Sequence, residues 1–124
     1  MRRGSWTSAV ATAIALMTST PAQACDCVPL TPAEARSEAS TVFVGTATQR
    51  VGHPDEGSPD PVTYRFTVER VLKGEAGPTL SVRTNNSADA CGVDFRIGDR
   101  YEVYALDADG TPFATRCGGT HRIS

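Results

Sequence analysis

Val62-Thr63-Tyr64-Arg65-Phe66-Thr67-Val68-Glu69-Arg70-Val71-Leu72 places Tyr64, Phe66 and Val68 on one face and Arg65, Thr67 and Glu69 on the other. That period of two is the pattern of a β-strand with one buried face. Upstream, His53 to Pro61 holds three prolines and Gly57 and reads as an exposed loop. Before it, Thr41 to Val51 reads as a further strand, with Gly45 inside it as a bend or bulge. Thr31-Pro32-Ala33-Glu34 opens a short helix running to about Ala39. There Thr31 is the cap, Pro32 suits the first helical position, and Glu34 completes a capping box.

Downstream, Lys73-Gly74-Glu75-Ala76-Gly77-Pro78 turns the chain into a third strand, Thr79 to Thr84, with Leu80 and Val82 inward. Asn85 to Ala90 is a polar loop leading into Cys91-Gly92, and Phe95 and Ile97 then reach a turn at Gly98-Asp99. Arg100 to Leu106 is the fourth strand. Asp107-Ala108-Asp109-Gly110 is a hairpin signal with glycine where positive φ is wanted. Thr111 to Arg116 is the fifth strand, and Cys117-Gly118-Gly119 closes the fold. Five short strands and one short helix predict a mainly β domain, a small OB-like Greek-key barrel. A β-sandwich is the alternative, but an immunoglobulin-like sandwich needs about seven strands.

The first 24 residues have the grammar of a secretory signal peptide. Arg2 and Arg3 form the basic start, Ala9 to Met17 is an apolar run, and Ala22-Gln23-Ala24 is a small-residue cleavage site. The run is far shorter than the roughly 20 residues of a spanning helix, and no later stretch is apolar for long. Cutting after Ala24 leaves residues 25–124 as one compact domain that begins at Cys25. That domain holds ten basic and fourteen acidic residues, a net charge of −4 with histidine neutral. An acidic balance of this kind offers no field for nucleic acid or for an anionic membrane surface. A secreted protein, extracellular, periplasmic or held at the cell surface, is expected, and a monomer.

All four cysteines, Cys25, Cys27, Cys91 and Cys117, lie in this domain. An even count in a small exported domain predicts two disulfides. Cys25 with Cys27 would close a strained one-residue ring. The two remaining pairings each tie the N-terminal segment to both the middle and the end of the chain. Each closes a loop of tens of residues, worth on the order of 4 kcal/mol in the loop-entropy model.

The start Cys25-Asp26-Cys27-Val28-Pro29 behind a cleavage site, the helix after it, and Val42-Phe43-Val44-Gly45 carry a resemblance. So do Val71-Leu72-Lys73-Gly74, Cys91-Gly92, the step from Gly98 to Tyr101, and the late Cys117. Together they resemble the inhibitory domain of tissue inhibitors of metalloproteinases, within the netrin-like OB-fold group. The likeness runs over residues 25–124, and its most specific part is the C-x-C-V-P start. It implies the pairs Cys25–Cys91 and Cys27–Cys117. It also implies that the α-amine and carbonyl oxygen of Cys25 chelate the zinc of a secreted metalloproteinase, while Asp26 points into the specificity pocket. The edge that meets the protease would be Cys25, Asp26, Cys27, Val28 and Pro29 with Ala88, Asp89 and Ala90. A zinc enzyme keeps an open coordination position, and a neutral amine is a good nitrogen ligand for it. Three departures stand out. Asp26 replaces a small polar residue, the third disulfide usual in the animal domain has no cysteines to form it, and no C-terminal half is expected.

Other chemistry is thinly represented. C-x-C lacks a thioredoxin-like βαβ context, so a redox motif is not expected. Cys117 with His121 lacks the second cluster that a zinc site needs, and His53 belongs to the proline-rich loop. Asp107 and Asp109 are explained by turn chemistry rather than calcium. No Ser-His-Asp set, carboxylate pair for hydrolysis or phosphate-cradling glycine loop is recognisable, so neither an enzyme nor a bound cofactor is expected. A lipidated Cys25 is disfavoured because Ala22 stands where a lipobox usually has leucine, and lipidation would leave an odd number of cysteines. The alternative function is a netrin-like extracellular binding module that works without protease inhibition.

Overall fold

The computed structural model describes residues 25–52 and 60–124. The signal-peptide assignment, and His53 to Pro59 of the expected loop, lie outside the described residues. A seven-residue helix α1 (Pro32–Glu38) is followed by β1 (Thr41–Val51), β2 (Val62–Lys73), β3 (Thr79–Thr84), β4 (Arg100–Ala108), β5 (Thr111–Phe113) and β6 (His121–Ile123). The helix begins as its sequence dictates. Thr31 Oγ1 accepts from the Glu34 amide, and the Glu34 carboxylate accepts from the Thr31 amide, a complete capping box.

Closure of the barrel follows from the length of β1, whose eleven residues pair antiparallel with both β2 and β4. The strands run in the order β1-β2-β3-β5-β4 and return to β1, with β3 and β5 meeting in parallel at Arg83 and Phe113. The register of β1 on β2 shifts between Val44 and Gly45, where the sequence pattern places a bulge. The result is the closed five-stranded barrel expected from the strand count.

The final strand differs from expectation. Thr111 to Arg116 is not continuous: β5 ends at Phe113, and the Ala114 amide donates to the Arg83 carbonyl at 2.9 Å. The chain then turns through a short 3-10 helix, Arg116–Gly118, and resumes as β6, which pairs with Arg100, Tyr101 and Glu102 of β4. β4 runs two residues further than expected, so the hairpin narrows to Asp109-Gly110, with φ of 55° and 84°. Positive φ at both central residues is the twist a two-residue hairpin requires.

Phe66 is the centre of the core. Its ring meets Phe43, Phe95 and Tyr101 edge-on, with centroids 5.4, 4.9 and 6.4 Å away. Tyr64, Val82, Val103 and Ala114 complete the buried interior, and Val68 and Leu80 pack against it half-buried. A second, smaller cluster lies under the helix, where Ala35 and Ala39 cover Val42 and Tyr104. No helix among the described residues is long and apolar enough to cross a membrane.

Candidate functional site

The N-terminal segment has no regular structure before the helix, and its anchors are covalent. Cys25 is bonded to Cys91 and Cys27 to Cys117, with Cα atoms 5.0 and 5.1 Å apart. Of the pairings open to the sequence, this is the one the family resemblance implies. Between and beyond these anchors the side chains face outward: Asp26, Val28 and Pro29 are exposed, Val28 to 79%. Leu30 ends the segment by packing half-buried against the helix cluster. The segment is therefore held at Cys25, Cys27 and Leu30, and presents what lies between.

Its neighbour through the first disulfide is the turn before Cys91. Ser87 caps a short 3-10 helix, Ala88–Ala90, and accepts from the Ala90 amide. Asn85 Nδ2 donates to the Ala90 carbonyl at 2.6 Å, and the Gly92 amide donates to the Ser87 carbonyl at 2.9 Å. A Cβ on Gly92 would lie 2.0 Å from the Asn85 carbonyl oxygen, so only glycine allows the turn to coil this tightly. The turn is joined to the Cys117 turn by the Arg116 amide, which donates to the Cys91 carbonyl at 2.9 Å.

Buried Thr84 connects this assembly to the barrel. Its hydroxyl donates to the Ala114 carbonyl at 2.7 Å and accepts from the Val93 amide at 2.9 Å. Of the predicted edge residues, Cys25 is joined through Cys91 to the turn that carries Ala88 to Ala90, while Cys27 is joined to the turn at Cys117. Asp26 and Asp89 are exposed. Cys117 is spent on a disulfide, His121 Nδ1 donates to the Gly119 carbonyl at 2.8 Å, and Asp107 Oδ1 accepts from the Gly110 amide.

One feature lies beyond what the sequence predicted. A polar cleft of about 460 Å³ opens beside the same turn, lined by Arg50, Tyr64, Asn85, Ser87, Val93 and Asp94 among others. The Arg50 guanidinium lies 5.9 Å from the centre of the Tyr64 ring, and the Tyr64 hydroxyl donates to Asp94 Oδ1 at 3.4 Å. Burial raises the Tyr64 phenol above its ordinary range and the Asp94 carboxylate adds to this, against the opposing charge of Arg50. Nothing local in the sequence marks this cleft, because strand pairing assembles it from separate segments.

No protein-family model and no curated protein matches the chain.

Proposed function

We propose that this protein is a secreted inhibitor-like protein that inserts its Cys25–Pro29 segment into the active-site cleft of a secreted zinc metalloproteinase. The observation that carries this reading is a five-residue segment, exposed from Asp26 to Pro29, that is pinned at Cys25 and Cys27 by two disulfides beside a hydrogen-bonded turn. A segment already fixed in place loses little conformational freedom on binding, which favours affinity. Disulfides of this kind suit an oxidising compartment outside the cytoplasm.

In this reading, cleavage after Ala24 frees the α-amine of Cys25. A terminal amine with pKa near 7.7 to 8.0 has a useful neutral fraction at neutral pH, and zinc favours deprotonation further. The amine and the Cys25 carbonyl would occupy the zinc, and Ala88, Asp89 and Ala90 would widen the contact. Asp26 sets the target. An unpaired carboxylate costs several kcal/mol to bury, so the pocket that receives it must supply a basic group.

The test is a panel of secreted metalloproteinases with apolar and with basic pockets. It compares the protein starting at Cys25, an Asp26→Thr variant, and a form with one alanine added before Cys25. The added residue turns the amine into an amide and should abolish inhibition throughout. Asp26→Thr should strengthen inhibition of proteases with apolar pockets. Equal behaviour of all three forms would remove the terminus from the function. The cleft beside Arg50 and Asp94 favours the second reading, an extracellular binding module, and that outcome would leave it standing.

A further inference from the structure

The two disulfides form a single sulfur cluster. Cys25 Sγ lies 3.3 Å from Cys117 Sγ and 3.9 Å from Cys27 Sγ, and Cys91 Sγ lies 3.8 Å from Cys117 Sγ. The Sγ atoms of Cys25, Cys91 and Cys117 all fall within 4.8 Å of one another, and Cys27 is bonded to Cys117. In a tetrahedral zinc site with Zn–S bonds of about 2.3 Å, neighbouring sulfurs are roughly 3.8 Å apart. The contacts between the two disulfides already match that spacing to about half an ångström.

The geometry points to a four-thiolate site for a divalent d10 cation, Zn²⁺ or Cd²⁺, in the reduced protein. Two of the donors have fixed places. Cys91 and Cys117 sit on turns that are joined by the Arg116 amide and the Cys91 carbonyl. The other two, Cys25 and Cys27, lie on an extended segment free of helix and strand, so their side chains can rotate as each S–S bond opens. A divalent ion with four thiolates carries a charge of −2, and the residue that precedes Cys117 is the basic Arg116.

The chemistry balances with a phosphine as reductant. Each S–S bond takes two electrons from one phosphine and yields two thiols, while oxygen from water leaves in the phosphine oxide. Metal uptake then releases the thiol protons as the four sulfurs bind as thiolates. The oxidised protein offers no thiolate and takes up no ion. The same four sulfurs would therefore hold the N-terminal segment in either redox state, by S–S bonds in one and through a shared ion in the other.

The experiment uses the chain starting at Cys25, reduced with a phosphine without oxygen, stripped with a chelator and desalted. It is titrated with Cd²⁺, followed by thiolate-to-metal charge-transfer absorption, and with Zn²⁺ against a chromophoric chelator. One ion per chain is expected in the reduced form and none in the oxidised form. The reduced double variant Cys27→Ser/Cys117→Ser should bind on the order of 1,000-fold more weakly, because two of the four donors of a structural zinc site are gone. Single Cys27→Ser should fall between the two. If reduction loosens the barrel, Zn²⁺ should restore its circular dichroism, since metal binding couples to folding. A stoichiometry other than one, equal affinity in the reduced protein and the double variant, or undiminished affinity in concentrated urea would each overturn the site.

Discussion

The barrel interior and the N-terminal ridge, the Cys25–Pro29 segment with the turns at Cys91 and Cys117 to which it is bonded, solve the same problem, holding a backbone still, by opposite means. Inside the barrel, Phe43, Phe66, Phe95 and Tyr101 exclude water and lock one another edge to face. On the ridge, the 3-10 turns Ala88–Ala90 and Arg116–Gly118 contain no buried side chain, and Val28 is 79% exposed. There the restraint comes from two disulfides and a few backbone hydrogen bonds. Apolar packing stabilises the folded state directly, whereas a crosslink acts chiefly by limiting the unfolded ensemble. A surface built in the second way can keep its side chains free for a partner.

The largest effect should come from the packed region. Phe66→Ala removes the ring on which three others lean and leaves a cavity, a change that typically costs about 3–5 kcal/mol. That is a large share of the stability of a domain this size, and chemical denaturation should show the midpoint fall steeply with the ridge disulfides intact. A loss under about 1 kcal/mol would mean that the crosslinks, not the core, hold the barrel.

Nearly as large is the double variant Cys27→Ser/Cys117→Ser, which opens the longer crosslink, with a sequence separation of 90. The loop-entropy model puts its contribution at a little over 4 kcal/mol, with native strain as a discount. This loss should differ from that of Phe66→Ala in kind. The unfolded state becomes more expanded, so the denaturant slope should rise, while the barrel's circular dichroism at low denaturant stays unchanged. An unchanged midpoint under oxidising conditions would show that this crosslink contributes nothing to the fold.

The same contrast explains what the sequence makes legible. Val62 to Leu72 reads as a strand because burial of alternate side chains leaves a local trace, and the Thr31–Glu34 box is complete within four residues. β6 leaves no such trace. His121, Arg122 and Ile123 become a strand only because β4 offers hydrogen-bonding partners to them. The break after Phe113 is equally non-local, since the buried Ala114 is held by the Arg83 carbonyl from a distant strand. On the ridge, residue types and counts announce two disulfides, but spacing alone leaves the partners open. The cleft between Arg50 and Asp94 was unreadable for the same reason as β6.

A smaller effect is expected where the two regions join. Thr84→Val keeps the shape of a fully buried side chain but strands the Val93 amide and the Ala114 carbonyl. Leaving buried polar groups unpaired costs about 1–3 kcal/mol, so a loss near the middle of that range is expected in thermal unfolding. Amide exchange should locate it, with protection falling at Val93, whose amide loses its acceptor, while Ala114, Phe66 and Val103 keep theirs. Uniform loss across the barrel would mean that the two regions form one cooperative unit.

The smallest effect at neutral pH, and the one that most sharpens the contrast, comes from Tyr64, whose ring belongs to the core and whose hydroxyl faces the cleft. Burial raises its pKa in the folded state, with Asp94 adding to the shift and Arg50 opposing it. The sign follows from which state loses its proton first. Below the unfolded value near 10 the phenol is protonated in both states, and the favourable burial of the neutral ring is fully present. As pH rises past that value the unfolded chain ionises first, so stability falls until the folded-state pKa is passed. Tyr104 is raised in the same direction, by burial first and then by its hydrogen bond to Glu102, and contributes to the same alkaline decline. Tyr64→Phe should therefore change stability little at pH 7, since only a 3.4 Å hydrogen bond is lost. Above pH 10 the variant should lose stability less steeply than the parent, leaving the part of the slope that belongs to Tyr104. Denaturation midpoints measured from pH 8 to pH 11 on both proteins decide it. Parallel curves would place the Tyr64 hydroxyl in contact with solvent in the folded state, and the cleft would then be an open notch in the barrel wall.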